Sequence, residues 1–153
     1  MIESGLYELV TGNAAINKFL AGPTACYFSF MAKQTPVPAV VIHRIASSPV
    51  SVTLDAPTAD FNEMMQGRFQ LDSFGQDNNS NKLPSPSGYL CAAALSRAIR
   101  CQLKAMVNTA LPDGTLLNNC IINDEFDADF EIGGTGYIYR RVLDLTLWFQ
   151  ETA

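Results

Sequence analysis

A chain of 153 residues is long enough for one domain that buries roughly two-thirds of the surface its unfolded form exposes. Apolar residues make up 48% of it and charged ones 16%, well under the ~25% charged share usual for soluble domains, so part of its apolar surface is expected to meet a partner. The net charge of −5 counts against a nucleic-acid reader, which presents a basic stripe, and no apolar run approaches the ~20 residues of a membrane span.

The start, Met1-Ile2-Glu3-Ser4, lacks the basic region and apolar segment of a secretory signal. Ile2, Leu6, Leu9 and Val10 then recur at helical spacing and predict a short amphipathic helix. Gly12 suits its end, and Asn13 suits the cap of a further turn or two carrying Ile16, Phe19 and Leu20. Gly22-Pro23 closes that segment, and the aromatic, β-rich run Cys26 to Met31 reads as a strand. Pro36 and Pro38 bracket the entry to Ala39–Ala46, too β-branched for a comfortable helix and expected to be a second strand. Val50 to Leu54 is expected to continue pairing after a break at Ser48-Pro49. Asp55 to Gln66 looks irregular, and Arg68 to Phe74 alternates as a strand should.

Gly75 to Gly88 is a polar stretch with the composition of an exposed loop. Ser87 is placed to cap the main helix, about Tyr89 to Val107, whose stripe is Leu95, Ile99, Leu103 and Met106. Leu111-Pro112-Asp113-Gly114 has turn chemistry. A long hairpin follows, with arms Ile121–Ile132 and Tyr137–Gln150 around a glycine-rich turn. In the second arm Tyr137, Tyr139, Leu143, Leu145, Leu147 and Phe149 share one parity, and Arg140, Asp144, Thr146 and Gln150 the other. In the first arm Phe126, Ala128, Phe130 and Ile132 alternate with Glu125, Asp127, Asp129 and Glu131, which predicts a solvated acidic face. The whole is expected to be one α+β domain over 1–153, with an exposed polar loop near 75–88. Its mainly antiparallel sheet, carrying the long C-terminal β-hairpin, is covered on one face by the N-terminal and central helices.

Signals for chemistry are weak. The single histidine, His43, sits inside a strand; a catalytic role would pair it with Ser29 or Ser73 and an acid, but no G-x-S-x-G elbow supports one. It is expected to be a sheet residue satisfied by a neighbour. The hairpin acids do not fit a calcium loop: counted from Asp127, position six is Ile132 and position twelve Ile138, where glycine and glutamate are needed. Gly133-Gly134-Thr135-Gly136 joins two strands, whereas phosphate cradles precede a helix. The cysteines, Cys26, Cys91, Cys101 and Cys120, form no C-x-x-C pair and read as reduced, buried thiols of a cytosolic protein, without the ligand clusters of a zinc site. No cofactor is implied.

Two sets suit a contact surface. Arg97, Arg100 and Lys104 are either a solvated helix face or an electrostatic seam with the acidic ribbon of a neighbouring subunit. Phe61, Met64 and Met65 either fold back on the core or meet a partner. Should the second face of the last strand be covered in an assembly, Trp148 is the residue most protected there.

Segment order carries a resemblance. The opening helix Ile2–Val10, Asn13-Ala14-Ala15-Ile16, Pro38-Ala39-Val40-Val41-Ile42 and Thr53-Leu54-Asp55-Ala56-Pro57 are followed by strand Arg68–Phe74 and an alanine-rich helix. The closing run is Tyr139-Arg140-Arg141-Val142-Leu143-Asp144-Leu145-Thr146-Leu147-Trp148. Together they resemble the tail-completion (tail-terminator, or head-to-tail joining) proteins of long-tailed bacteriophages, over nearly the whole chain. The resemblance implies a non-enzymatic virion subunit at the head-proximal end of the tail, assembled in the host cytoplasm. It implies a ring of copies, typically a hexamer, that caps the tail tube and meets the tube protein and the head connector or stopper. DNA would pass its channel as non-specific cargo, and Glu125, Asp127, Asp129 and Glu131 are then candidates to line it, since acids repel phosphate. The polar 75–88 loop is longer than the link the family places there. Alternatives are another connector, stopper or tail-assembly protein, or a small hydrolase using His43.

Overall fold

A computed structural model describes residues 1–32, 35–50, 64–77, 87–133 and 136–151, with the side chains at 129–136 outside the description. The expected α+β architecture is present. Helices α1 (Ile2–Gly12), α2 (Ala14–Asn17) and α3 (Gly88–Ala105) accompany β1 (Cys26–Phe28), β2 (Ala39–Pro49), β3 (Met64–Gln76), β4 (Thr109–Ala110), β5 (Leu116–Gly133) and β6 (Gly136–Gln150). The strands form one six-stranded sheet in the order β1-β2-β3-β6-β5-β4. Only β1 runs parallel to its neighbour β2; every other pair is antiparallel.

Local chemistry explains the helix limits. Asn13 ends α1 and its Oδ1 accepts the Ala15 N–H at 2.9 Å, opening α2. Its Nδ2 donates to Gln102 Oε1 at 3.1 Å, tying this corner to α3. Ser87 caps α3 as expected, accepting from the Leu90 N–H at 3.3 Å. Two glycines let α3 start directly on β3: a Cβ on Gly75 would lie 2.1 Å from the Gly88 carbonyl oxygen, and one on Gly88 would lie 2.5 Å from the Gln76 backbone. Neither position accepts a side chain without parting the layers.

All three helices lie on one side of the sheet. Ile2, Leu6 and Val10 of α1 and Leu95, Ile99 and Leu103 of α3 bury against Ile42, Phe69, Leu71, Leu143, Leu145, Leu147 and Phe149. Each such side chain contributes roughly 1.5–3 kcal/mol through burial. The parity assigned to the second hairpin arm therefore holds from Leu143 to Phe149.

Several boundaries differ from expectation. β1 is three residues, shorter than Cys26–Met31, and β2 runs unbroken through Ser48 to Pro49, which pairs with Met65. Met64, Met65 and Gln66, expected in an irregular segment, open β3 and pair with Gln150, Phe149 and Trp148. Phe61, Val50-to-Leu54 pairing beyond residue 50, the Gly134-Thr135 turn and most of the polar loop (78–86) lie outside the described residues. The loop's two margins do not: Gly75 and Gln76 are strand and Gly88 is helix.

The largest correction concerns the hairpin. Its second arm, β6, is an interior strand, paired with β3 from Ile138 to Gln150 and with β5 on the other side. Strand β5 also changes phase: its register with β6 shifts between Ile122 and Asp124, a bulge at Asn123. Ile122 faces the helices opposite Leu145, whereas Phe126, opposite Val142, faces away and is 44% exposed. Glu125, opposite Leu143, is carried to the helix-covered side.

Candidate functional site

Among the described residues no helix lies on the sheet's second face, and the strands place a polar cluster there. Cross-strand partners share a face, so Val41 and His43 of β2, Gln70, Asp72 and Phe74 of β3, and Arg140 and Val142 of β6 come together. Asp72 is 1% exposed. A carboxylate so deeply buried must be met by donors, and four reach it. Its Oδ2 accepts from Arg140 Nε at 2.9 Å and Nη2 at 2.6 Å and meets His43 Nε2 at 3.2 Å; its Oδ1 accepts from Gln70 Nε2 at 2.9 Å. Both oxygens are thus spoken for. One buried acid clamps three adjacent strands.

Above it opens a cleft of about 290 Å³, lined by Ser29, Phe30 and Met31 together with Val41, His43, Phe74, Ile138 and Arg140. Ser29 adopts φ 63°, a left-handed conformation that costs a non-glycine residue free energy. Ser73, the other serine considered for a triad, is fully buried and pairs with Val40 and Arg141, on the helix side away from His43. His43 is a sheet residue held by a neighbour, and the acid it holds is shared with an arginine fork. Such an arrangement rigidifies the three strands it joins.

Further along the same face Arg68 grips Asp144 with a fork, Nε to Oδ1 at 3.0 Å and Nη2 to Oδ2 at 2.5 Å. That hydrogen bond holds the Asp144 carboxyl below the usual carboxylate range, with Asn123 and the arginine charge adding to it against a smaller burial effect. Asn123 Nδ2 also donates to Thr146 Oγ1 at 2.9 Å, so the bulge residue closes the network. Asp124 lies directly opposite Asp144 across the strands and is exposed, and its Oδ1 accepts the neighbouring Glu125 N–H.

The hairpin acids are distributed unlike the alternation predicts. Glu125, expected on a solvated face, has a side chain 12% exposed; it accepts from Ser96 Oγ at 3.0 Å and Arg100 Nη1 at 2.5 Å and lies 3.5 Å from Arg141 Nε. Asp127 stays half-exposed, accepting from Tyr89 Oη at 3.2 Å with Arg141 Nη1 3.5 Å away. Asp129 and Glu131 lie on β5, with side chains outside the description. Arg100 therefore pairs with the acidic strand of its own chain, while Arg97 and Lys104 remain exposed on α3. Met65 packs against the core, Met64 is half-buried at the start of β3, and Trp148 is half-buried on the bare face.

Cys26, Cys91 and Cys120 are buried thiols, but Cys101 is exposed, contrary to expectation, because it falls on the outer side of α3. Burial pushes the Cys26 thiol up to about 12 and the Cys120 thiol to about 11, which keeps both unreactive. Asp72, Arg140 and Arg141 were not marked as site residues by the sequence. Their only signal was charge placed within a strongly alternating strand, and alternation says nothing of which outward position is roofed by a cleft.

No protein-family profile matches this chain, and no curated protein sequence is similar to it. Among solved structures, a chain from the virion of a native gene transfer agent particle shares the fold, with a TM-score of 0.55 at 13% identity. The likeness covers 98% of this chain and 95% of that one. At this identity it is a likeness of fold.

Proposed function

We propose that this chain is a structural subunit of a phage-like virion, and that it works in a ring of copies, six by resemblance, at the junction of tail tube and head. The observation that carries the proposal is the end-to-end fold match to a chain of a gene transfer agent virion. The order of its segments supports the same assignment from sequence. So do exposed apolar side chains, Ile121 and Phe126, on the sheet face turned away from the helices, which suit assembly more than turnover. In this proposal the ring caps the tube, contacts the tube protein below and a connector or stopper above, and leaves a channel through which DNA passes unread. The lining candidates are Asp127, whose side chain is half-exposed, and the acids expected beyond it on β5, Asp129 and Glu131; Glu125, turned onto α3, takes a structural part.

The decisive experiment is electron microscopy of particles produced without this protein. Overlong or ragged tubes identify a terminator, and complete tails without attached heads identify a joining protein. Particles that are normal in form and infectivity overturn the proposal.

A further inference from the structure

The described surface leaves two complementary faces without partners. On α3, Leu90, Ala94, Arg97, Cys101 and Lys104 follow one another at intervals of four and three residues, which places them in one outward stripe. Leu90 is 53% exposed, and Arg97, Cys101 and Lys104 are all exposed. The stripe thus begins apolar and continues with two cations for which the described chain shows no acid. On the bare side of the sheet, Phe126 (44% exposed) and Ile121 (46%) flank exposed Asp124. Asp124 stands opposite Asp144, a like-charge pairing that is unfavourable across strands. Arg68 neutralises Asp144, and among the described residues no cation reaches Asp124.

The sheet edges are poor alternatives for association. On the β2 side, past the short β1, the described edge carries a bulge at Ile45 and ends at Pro49, which has no N–H to donate. On the other side β5 bears three register shifts along its length. Bulges and proline are the devices that prevent strands from pairing edge to edge. Association between copies is therefore left to the faces.

We infer that the outer stripe of α3 in one copy docks on the exposed β5 margin of the sheet in a second copy, Arg97 and Lys104 reaching Asp124 while Leu90 meets the Phe126–Ile121 side. This deepens the ring proposed above and rests on it. A helix that covers the next subunit's sheet margin is a heterologous, head-to-tail contact, and such contacts close into rings when the rotation allows. Each copy then covers the exposed β5 margin of its neighbour's sheet. The charges fix orientation and register, and the apolar residues supply the burial.

Sedimentation of the full chain tests this, with Arg97→Glu/Lys104→Glu, with Asp124→Lys, and with all three changes together. The three positions are exposed, so circular dichroism should show every variant folded. The first two should weaken self-association at least about tenfold, and the triple variant should recover most of it because the signs are exchanged. A second readout uses Cys101, the one exposed cysteine of the four. With Ile121→Cys added, a short bismaleimide should yield a ladder of covalent oligomers, and Phe30→Cys in its place should not. Self-association that ignores all three charge changes would overturn the seam while leaving the ring intact. A wild-type chain that stays monomeric and cross-links to nothing overturns the docking of copies, whereas the ring's place in the virion is judged separately by the particles made without it.

Discussion

Leu145 and Thr146 are consecutive in the chain and sit in different solvents. Leu145 is fully buried beneath the helices, in line with Leu143, Leu147 and Phe149, whereas Thr146 looks onto the bare side beside Arg68, Asp144 and Asn123. The helix side is held by non-directional apolar burial. The bare side is held by directional clamps: a buried carboxylate with four donors at Asp72, and an arginine fork at Asp144. Packing suits a surface that will never be exposed. Directional networks suit one that must keep its shape in water until something covers it, because the Asp72 and Asp144 carboxylates already have their donors.

The contrast can be tested from its strongest term downward. Leu145→Ala should cost about 2–5 kcal/mol in chemical denaturation, as a large-to-small change in a packed core; a loss below about 1 kcal/mol would mean the helix side is loosely packed. Arg140→Ala should cost about 1.5–3 kcal/mol, because it removes a charged fork from an acid that stays buried. Thermal melting would show whether His43 and Gln70 suffice alone, in which case the loss would be negligible. Thr146→Ala should change stability by less than about 0.5 kcal/mol in the isolated chain. A larger loss there would mean the bare side carries more of the fold than its exposure suggests.

The comparison also explains what the sequence made legible. The helices, their caps at Asn13 and Ser87, and the inward parity of β6 were readable because each depends on neighbours a few residues away. β6 runs straight between two partners, so its alternation translates directly into two faces. β5 does not: the bulge at Asn123 exists only in its register with β6, and it exchanged the faces of Glu125 and Phe126. An acid expected in water became the anchor of α3 through Ser96 and Arg100. The cleft at Asp72 was equally hidden, since its residues come from β2, β3 and β6 and meet only when the sheet order brings β6 next to β3. Exposed Cys101 was missed for a simpler reason: cysteine is more often inside than outside, and helical phase overruled composition.

The close approach of Gly75 and Gly88 holds the end of β3 against the start of α3. Both ends of the segment between them stand at one spot, at the junction of β3 and the first turn of α3. Lengthening a segment anchored in this way costs only about 0.6 kcal/mol for each doubling. A short peptide spliced between Asp77 and Ser87 should therefore leave helix and sheet joined, with a melting temperature close to that of the parent chain.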